Sequence, residues 1–202
     1  MMAAAAMMTA FSIASGQQLN AEELFDGSLD GWTIENTTHD NFRIVDGILR
    51  VEEPEGWLCS TRTWRDFELH VEFRFLTDDA DSGVFIRAVG NETFIRGWPD
   101  SSYQIQMRNP IGESPFVPVG GLFRHGMPDG DTDYNEALAR ELSRPTGEWQ
   151  LIVIRVVGDQ VTAELNGQQV LSAGNIANPE GAIGLQGETG GLEYRSLRIT
   201  PL

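Results

Sequence analysis

The sequence predicts an all-β fold, a sandwich of two antiparallel sheets with little helix. Three observations predict it. Apolar and polar residues alternate in several short runs, most clearly from Leu69 to Phe75, and such alternation marks a strand with one buried face. The runs are separated by turn pairs such as Asp46-Gly47, Gly158-Asp159 and Asn166-Gly167. The chain of 202 residues is long enough for one core, and it shows no internal repeat, heptad pattern or low-complexity linker.

The elements follow in order. Met1 to Gly16 is apolar and uncharged, too short to span a bilayer, and reads as a secretory signal cleaved before Gln17, with small residues at Ala14 and Gly16. One domain is expected from residue 17 to 202, in the periplasm or outside the cell. Leu24–Trp32 opens it with two Asp-Gly turns. Phe42–Glu52 reads as a hairpin about Asp46-Gly47, and Trp57–Thr61 as a further strand. The central stretch, Asp66 to Arg87, reads as two neighbouring strands joined by an acidic turn. Ala88–Ser102 is expected as a loop, and Tyr103–Met107 as a strand with Gln104 and Gln106 facing outward. Arg108–Pro145 is the least regular region, with a short helix expected over Asn135–Leu142. Trp149–Val157, Gln160–Leu165 and Gln168–Leu171 form a meander, and Ile183–Gln186 and Leu192–Ile199 are the last strands.

Composition removes several function classes. A formal net charge of -16 argues against nucleic acid and anionic membrane surfaces, and no segment is long enough for membrane insertion. All 14 basic residues are Arg, so neither Schiff-base chemistry nor a phosphate-loop Lys is available. Cys59 is the single cysteine and sits in an apolar run, which points to a structural thiol. The run Asp129, Asp131, Asp133 lacks the Gly and Glu spacing of an EF-hand. It leaves a looser calcium site, or a solvated acidic loop; no cofactor is required. No Gly-x-Ser-x-Gly elbow, nucleotide loop or zinc-protease motif occurs.

The outward phase is more informative. If the central strands are neighbours, Glu72, Arg74, Arg87, Gln104 and Gln106 share one polar face, with Trp98 and Trp149 nearby in the pattern. Planar hydrogen-bonding groups beside aromatic faces are what a carbohydrate needs. The bland alternative is a half-exposed sheet surface.

The ordered set LFDGSLDGW, FRIVDGILRV, WLCSTRTWRDFELHVEFRF, DSGVFIR, YQIQM, GEWQLIVIRVVGDQVTAELNGQQV, GAIGLQ and LEYRSLRITPL resembles the bacterial 3-keto-disaccharide hydrolase domain family. The resemblance runs from about Leu24 to Leu202. It implies a concanavalin A-like jelly roll and an exported protein that cleaves glycosides whose glucose C3 is oxidised to a ketone. It implies site residues as well: Glu72 and Arg74 from the EFR strand, Arg87 from SGVFIR, Gln106 from YQIQ, and Gln186 from IGLQ. Arg87 is expected to bind the ketone or oxyanion and Glu72 to act as base, with His125 as the second choice. Gln104, Trp149 and Glu188 are expected at the substrate. Two departures stand out: Gln104 where the family has Glu, and a Gly187-Glu188-Thr189-Gly190 turn without the family's His. A hydrolase, a carbohydrate-binding module without activity and a scaffold domain therefore all remain open.

Overall fold

The computed structural model describes residues 20–37, 39–89, 94–95, 97–110 and 115–202. The expected signal segment, residues 1–16, lies outside them. In chain order the strands are β1 (Glu22–Glu23), β2 (Trp32–Glu35), β3 (Phe42–Val45), β4 (Ile48–Glu52), β5 (Gly56–Trp64), β6 (Phe67–Phe75) and β7 (Asp81–Ala88). After these come β8 (Phe94–Ile95), β9 (Trp98–Pro99), β10 (Ser102–Arg108), β11 (Leu122–His125) and β12 (Thr132–Tyr134), and then an α-helix, α1 (Glu136–Leu142). The chain ends with β13 (Gln150–Val157), β14 (Gln160–Leu165), β15 (Gln168–Ala173), β16 (Gly181–Gly187) and β17 (Gly191–Pro201).

Two antiparallel sheets face each other in a jelly roll. One has nine strands in the order β12-β15-β14-β13-β6-β17-β4-β3, with β1 also on β17. The other has six, in the order β11-β10-β7-β16-β5-β2. The apolar phases of both sheets meet in one core: Leu69, Val71, Phe73 and Phe75 from β6 pack with Val84 and Ile86 from β7 and Tyr103, Ile105 and Met107 from β10. Burying each such side chain contributes about 1.5–3 kcal/mol, so the alternating pattern is what selects the face. The hairpins form where the turn pairs predict them. Asp46 and Gly47 take φ of 53° and 77°, and Asn166 and Gly167 take 48° and 89°, the left-handed pair that matches strand twist. Asn135 caps α1 by accepting a hydrogen bond from the Leu138 N–H at 3.1 Å.

Two expectations need correction. β6 and β7 are not neighbours. The acidic turn between them is a crossover from one sheet to the other, so β6 pairs with β13 and β17 while β7 pairs with β10 and β16. Alternation reports one buried face and says nothing of which strand lies alongside, since both inner faces of a sandwich read alike. The regions read as loops also hold short strands: β8 and β9 between Ala88 and Ser102, and β11 and β12 in the irregular stretch. Among the described residues no helix is long and apolar enough to cross a membrane.

Candidate functional site

The outward phase of the six-stranded sheet carries the site. Asp81, Gly83 and Phe85 of β7 lie beside Gln104, Gln106 and Arg108 of β10. Gln104 stands opposite Phe85, and Gln106 opposite Gly83. On the far side β11 places Phe123 opposite Gln104 and His125 one diagonal step away. Gln186 lies one residue before the end of β16, and Glu188 follows in a turn held against the start of β7 by paired backbone bonds between Asp81 and Thr189. These side chains line a cleft of about 360 Å³ whose walls include Trp98, Phe116 and Phe123.

The polar groups on its floor form one branched hydrogen-bonded network. His125 Nε2 lies 2.7 Å from Gln104 Oε1. Gln104 Nε2 donates to Gln106 Oε1 and to Gln186 Oε1, both at 2.8 Å. Gln106 donates to Asp81 Oδ1 at 3.0 Å, and Gln186 to Glu188 Oε2 at 2.9 Å. Arg108 donates to the other oxygen of Asp81 and lies over the Phe116 ring, 4.1 Å from its centroid. Gln104 and Gln106 are buried, so their amides are fixed rather than solvated. Gly83 makes the network possible. A Cβ there would stand 2.3 Å from Gln104 Nε2, so the amide occupies space that any other residue would fill.

Electrostatics distinguish the titratable groups. Burial lowers the pKa of His125 from its ordinary value, which favours the neutral imidazole. Burial raises that of Asp81, opposed by Arg108 and by the hydrogen bonds it accepts. The His125 ring meets Phe85 and Trp98 edge-on, with centroids 5.8 and 6.2 Å away. These contacts hold the ring between the aromatic wall and the polar floor.

The expected groove of Glu72, Arg74, Arg87, Gln104 and Gln106 does not exist as one surface. Glu72, Arg74 and Trp149 lie on the outer face of the nine-stranded sheet, the far side of the sandwich. There Arg195 donates to Glu72 at 2.5 Å and Arg74 to Glu193 at 2.7 Å. The guanidinium carbons of Arg74 and Arg195 each lie 4.6 Å from the centroid of the Trp149 ring. This is a cross-strand ladder of ion pairs over an aromatic ring, well away from the cleft.

Arg87 is also misplaced by the sequence pattern, for a different reason. Its φ of 48° turns the end of β7 out of extended geometry and re-aims the side chain. The buried guanidinium donates to the carbonyls of Arg65, Gly158 and Asn178 and to Asp66 Oδ1. Five of the expected residues, Gln104, Gln106, His125, Gln186 and Glu188, do meet in the cleft.

Asp81, Arg108 and the gap at Gly83 escaped the sequence reading. Asp81 reads as part of the acidic turn Leu76–Gly83, and Arg108 as the first residue of the irregular stretch. The signal was there in the phase: Asp81, Gly83 and Phe85 continue the outward set of one strand, and Gln104, Gln106 and Arg108 that of another. Cys59 is half-buried, and burial pushes its thiol up to about 11, as suits a structural residue. Among the described residues no group of three or more His, Cys, Asp or Glu side chains could hold a metal ion; Asp133 lies on β12, paired with Ser172.

The protein is a two-sheet jelly roll with a polar-floored, aromatic-walled cleft on one sheet. The chain belongs to the 3-keto-alpha-glucoside-1,2-lyase-like domain family, whose model matches residues 20–200. Among solved structures it is similar to a candidate glycosyl hydrolase from Parabacteroides distasonis, with a TM-score of 0.70 and 20% identity over 91% of this chain and 100% of that one. It is similar as well to the carbohydrate-binding module CBM66 from Bacillus subtilis, with a TM-score of 0.56 and 11% identity over 84% of this chain and 95% of that one. A third is the β-glucanase of Bacillus licheniformis, with a TM-score of 0.54 and 14% identity over 92% of this chain and 100% of that one. At these identities the likeness is one of fold. No protein of curated function matches the sequence.

Proposed function

We propose that the cleft takes a glycoside whose glucose ring carries a ketone at C3, and that the protein cleaves its glycosidic bond. The observation that carries this reading is the network joining His125, three glutamines and Asp81 on the floor of an aromatic-walled cleft. Planar amides suit sugar hydroxyls and aromatic walls suit C–H faces. The family match supports the substrate class.

In this reading the C3 ketone acidifies the C2 proton, and His125 takes it. The C2–H electrons form a C1=C2 double bond, and the C1–O electrons leave with the aglycone oxygen, which is protonated by water. The hydroxide left by that water adds to C1 and His125 returns its proton to C2, completing hydrolysis. A base kept neutral by burial is suited to the first step. Arg108, with one N–H on Asp81, has others for the developing enolate oxygen.

A second reading is a binding module without turnover. The likeness to CBM66 and the amide at Gln104 favour it. One assay separates them: release of 3-keto-glucose from a panel of 3-keto-glycosides, with and without chelator. Turnover is expected. Sugar binding without release would leave the module, and neither release nor binding would sink both readings.

We also propose export on the strength of residues 1–16. The mature chain is expected to begin at or near Gln17 outside the cytoplasm; an intact N-terminus recovered from the cytoplasmic fraction would overturn it.

A further inference from the structure

The hydrogen-bond directions on the cleft floor are set by two carboxylates, Asp81 at one end and Glu188 at the other. Arg108 pairs with Oδ2 of Asp81, which favours the ionised form of a buried group. An ionised carboxylate only accepts. Gln106 must therefore present its amide nitrogen to Asp81 Oδ1, at 3.0 Å, and its oxygen to Gln104. Gln104 must then donate to that oxygen, at 2.8 Å, which turns its own Oε1 toward His125. A carbonyl oxygen only accepts, so His125 Nε2, 2.7 Å away, carries the proton. The second branch agrees. Gln186 gives its nitrogen to Glu188 and its oxygen to Gln104. Flipping any one of the three amides would set oxygen against oxygen or nitrogen against nitrogen.

We infer that Gln104 is a positioning residue. It holds His125 as the Nε2–H tautomer and so leaves Nδ1 as the nitrogen with a free lone pair; among the described residues Nδ1 has no hydrogen-bond partner. Which ring nitrogen acts is fixed by what the other one bonds. The catalytic consequence rests on the reading of His125 as the base, whereas the tautomer itself needs no substrate.

The test is nitrogen-15 NMR of the full chain labelled at histidine, at a pH where the imidazoles are neutral, with the three histidines told apart by single substitutions. Wild type is expected to show His125 protonated at Nε2 and bare at Nδ1. Gln104→Met keeps the length and removes the acceptor, so both tautomers become populated. Gln104→Glu keeps an acceptor while losing the two donated bonds, so Nε2–H is retained. Partners that orient a working imidazole are worth about tenfold to a hundredfold. Gln104→Met should lose that much turnover on a 3-keto-glycoside with little change in KM. Nδ1–H in the wild type, or an unchanged tautomer in Gln104→Met, would overturn the inference. If Gln104→Met does not fold, the wild-type and Gln104→Glu spectra still decide it. If wild type turns nothing over, the spectra stand apart from that failure.

Discussion

His125→Ala folds as the wild type does but releases sugar from a 3-keto-glycoside about a hundredfold to ten-thousandfold more slowly, the range a general base supplies. The ring is half-buried on β11, an edge strand, and among the described residues it hydrogen-bonds only Gln104 at the cleft floor. Its loss removes edge contacts to Phe85 and Trp98 but leaves the residues packed between the two sheets untouched, so thermal unfolding should shift little. The pH profile adds a sign. Burial lowers the His125 pKa, and a base works when deprotonated. Turnover should therefore rise with pH along an acid limb whose midpoint lies below the ordinary imidazole value of about 6.5. Steady-state rates across pH check this. Glu72→Gln serves as the internal control, because Glu72 pairs with Arg195 on the other sheet and should leave turnover unchanged. Full activity in His125→Ala, or loss of activity in Glu72→Gln, would return the base to the outer face of the nine-stranded sheet.

Much of the fold was legible because period two is a direct readout of one buried face. The alternation of β6 and the Asp-Gly and Asn-Gly turns placed strands and hairpins correctly. What the pattern could not carry was the partner of each strand. A polar outward phase looks the same whether it faces a cleft or solvent, so Glu72 and Gln106 read alike although they stand on opposite sides of the sandwich. The glutamines were legible as sugar-binding groups, but their burial was not, because it comes from walls built by Trp98, Phe116 and Phe123 on separate segments. Arg87 failed for a local reason. Alternation assumes extended backbone, and a single residue at φ of 48° breaks the phase just where it was extrapolated.

That failure yields the second large effect. Arg87→Ala is expected to destabilise the protein by about 3 kcal/mol, since it removes a buried guanidinium whose partner Asp66 is itself part-exposed and leaves several carbonyls short of a donor. The guanidinium is 1% exposed and is the common donor for three carbonyls from separate segments, at Arg65, Gly158 and Asn178. Asp66 adds a fourth tie. It accepts from Arg87 at 3.0 Å and from the Gly158 N–H at 2.9 Å, so one carboxylate links the start of β6 to the turn between β13 and β14. Deleting the side chain strands these acceptors, each buried unpaired group costing about 1–3 kcal/mol, and opens a hole at the end of the sandwich. Arg87→Lys should recover only part of the loss, since one ammonium cannot reproduce the planar fork that serves all four acceptors. Urea unfolding would show the midpoint falling with an unchanged slope, the mark of altered stability. At a temperature where the variant stays folded, KM and turnover should match the wild type, because Arg87 lies outside the cleft. A variant as stable as wild type but without turnover would place the guanidinium at the substrate instead of in the frame.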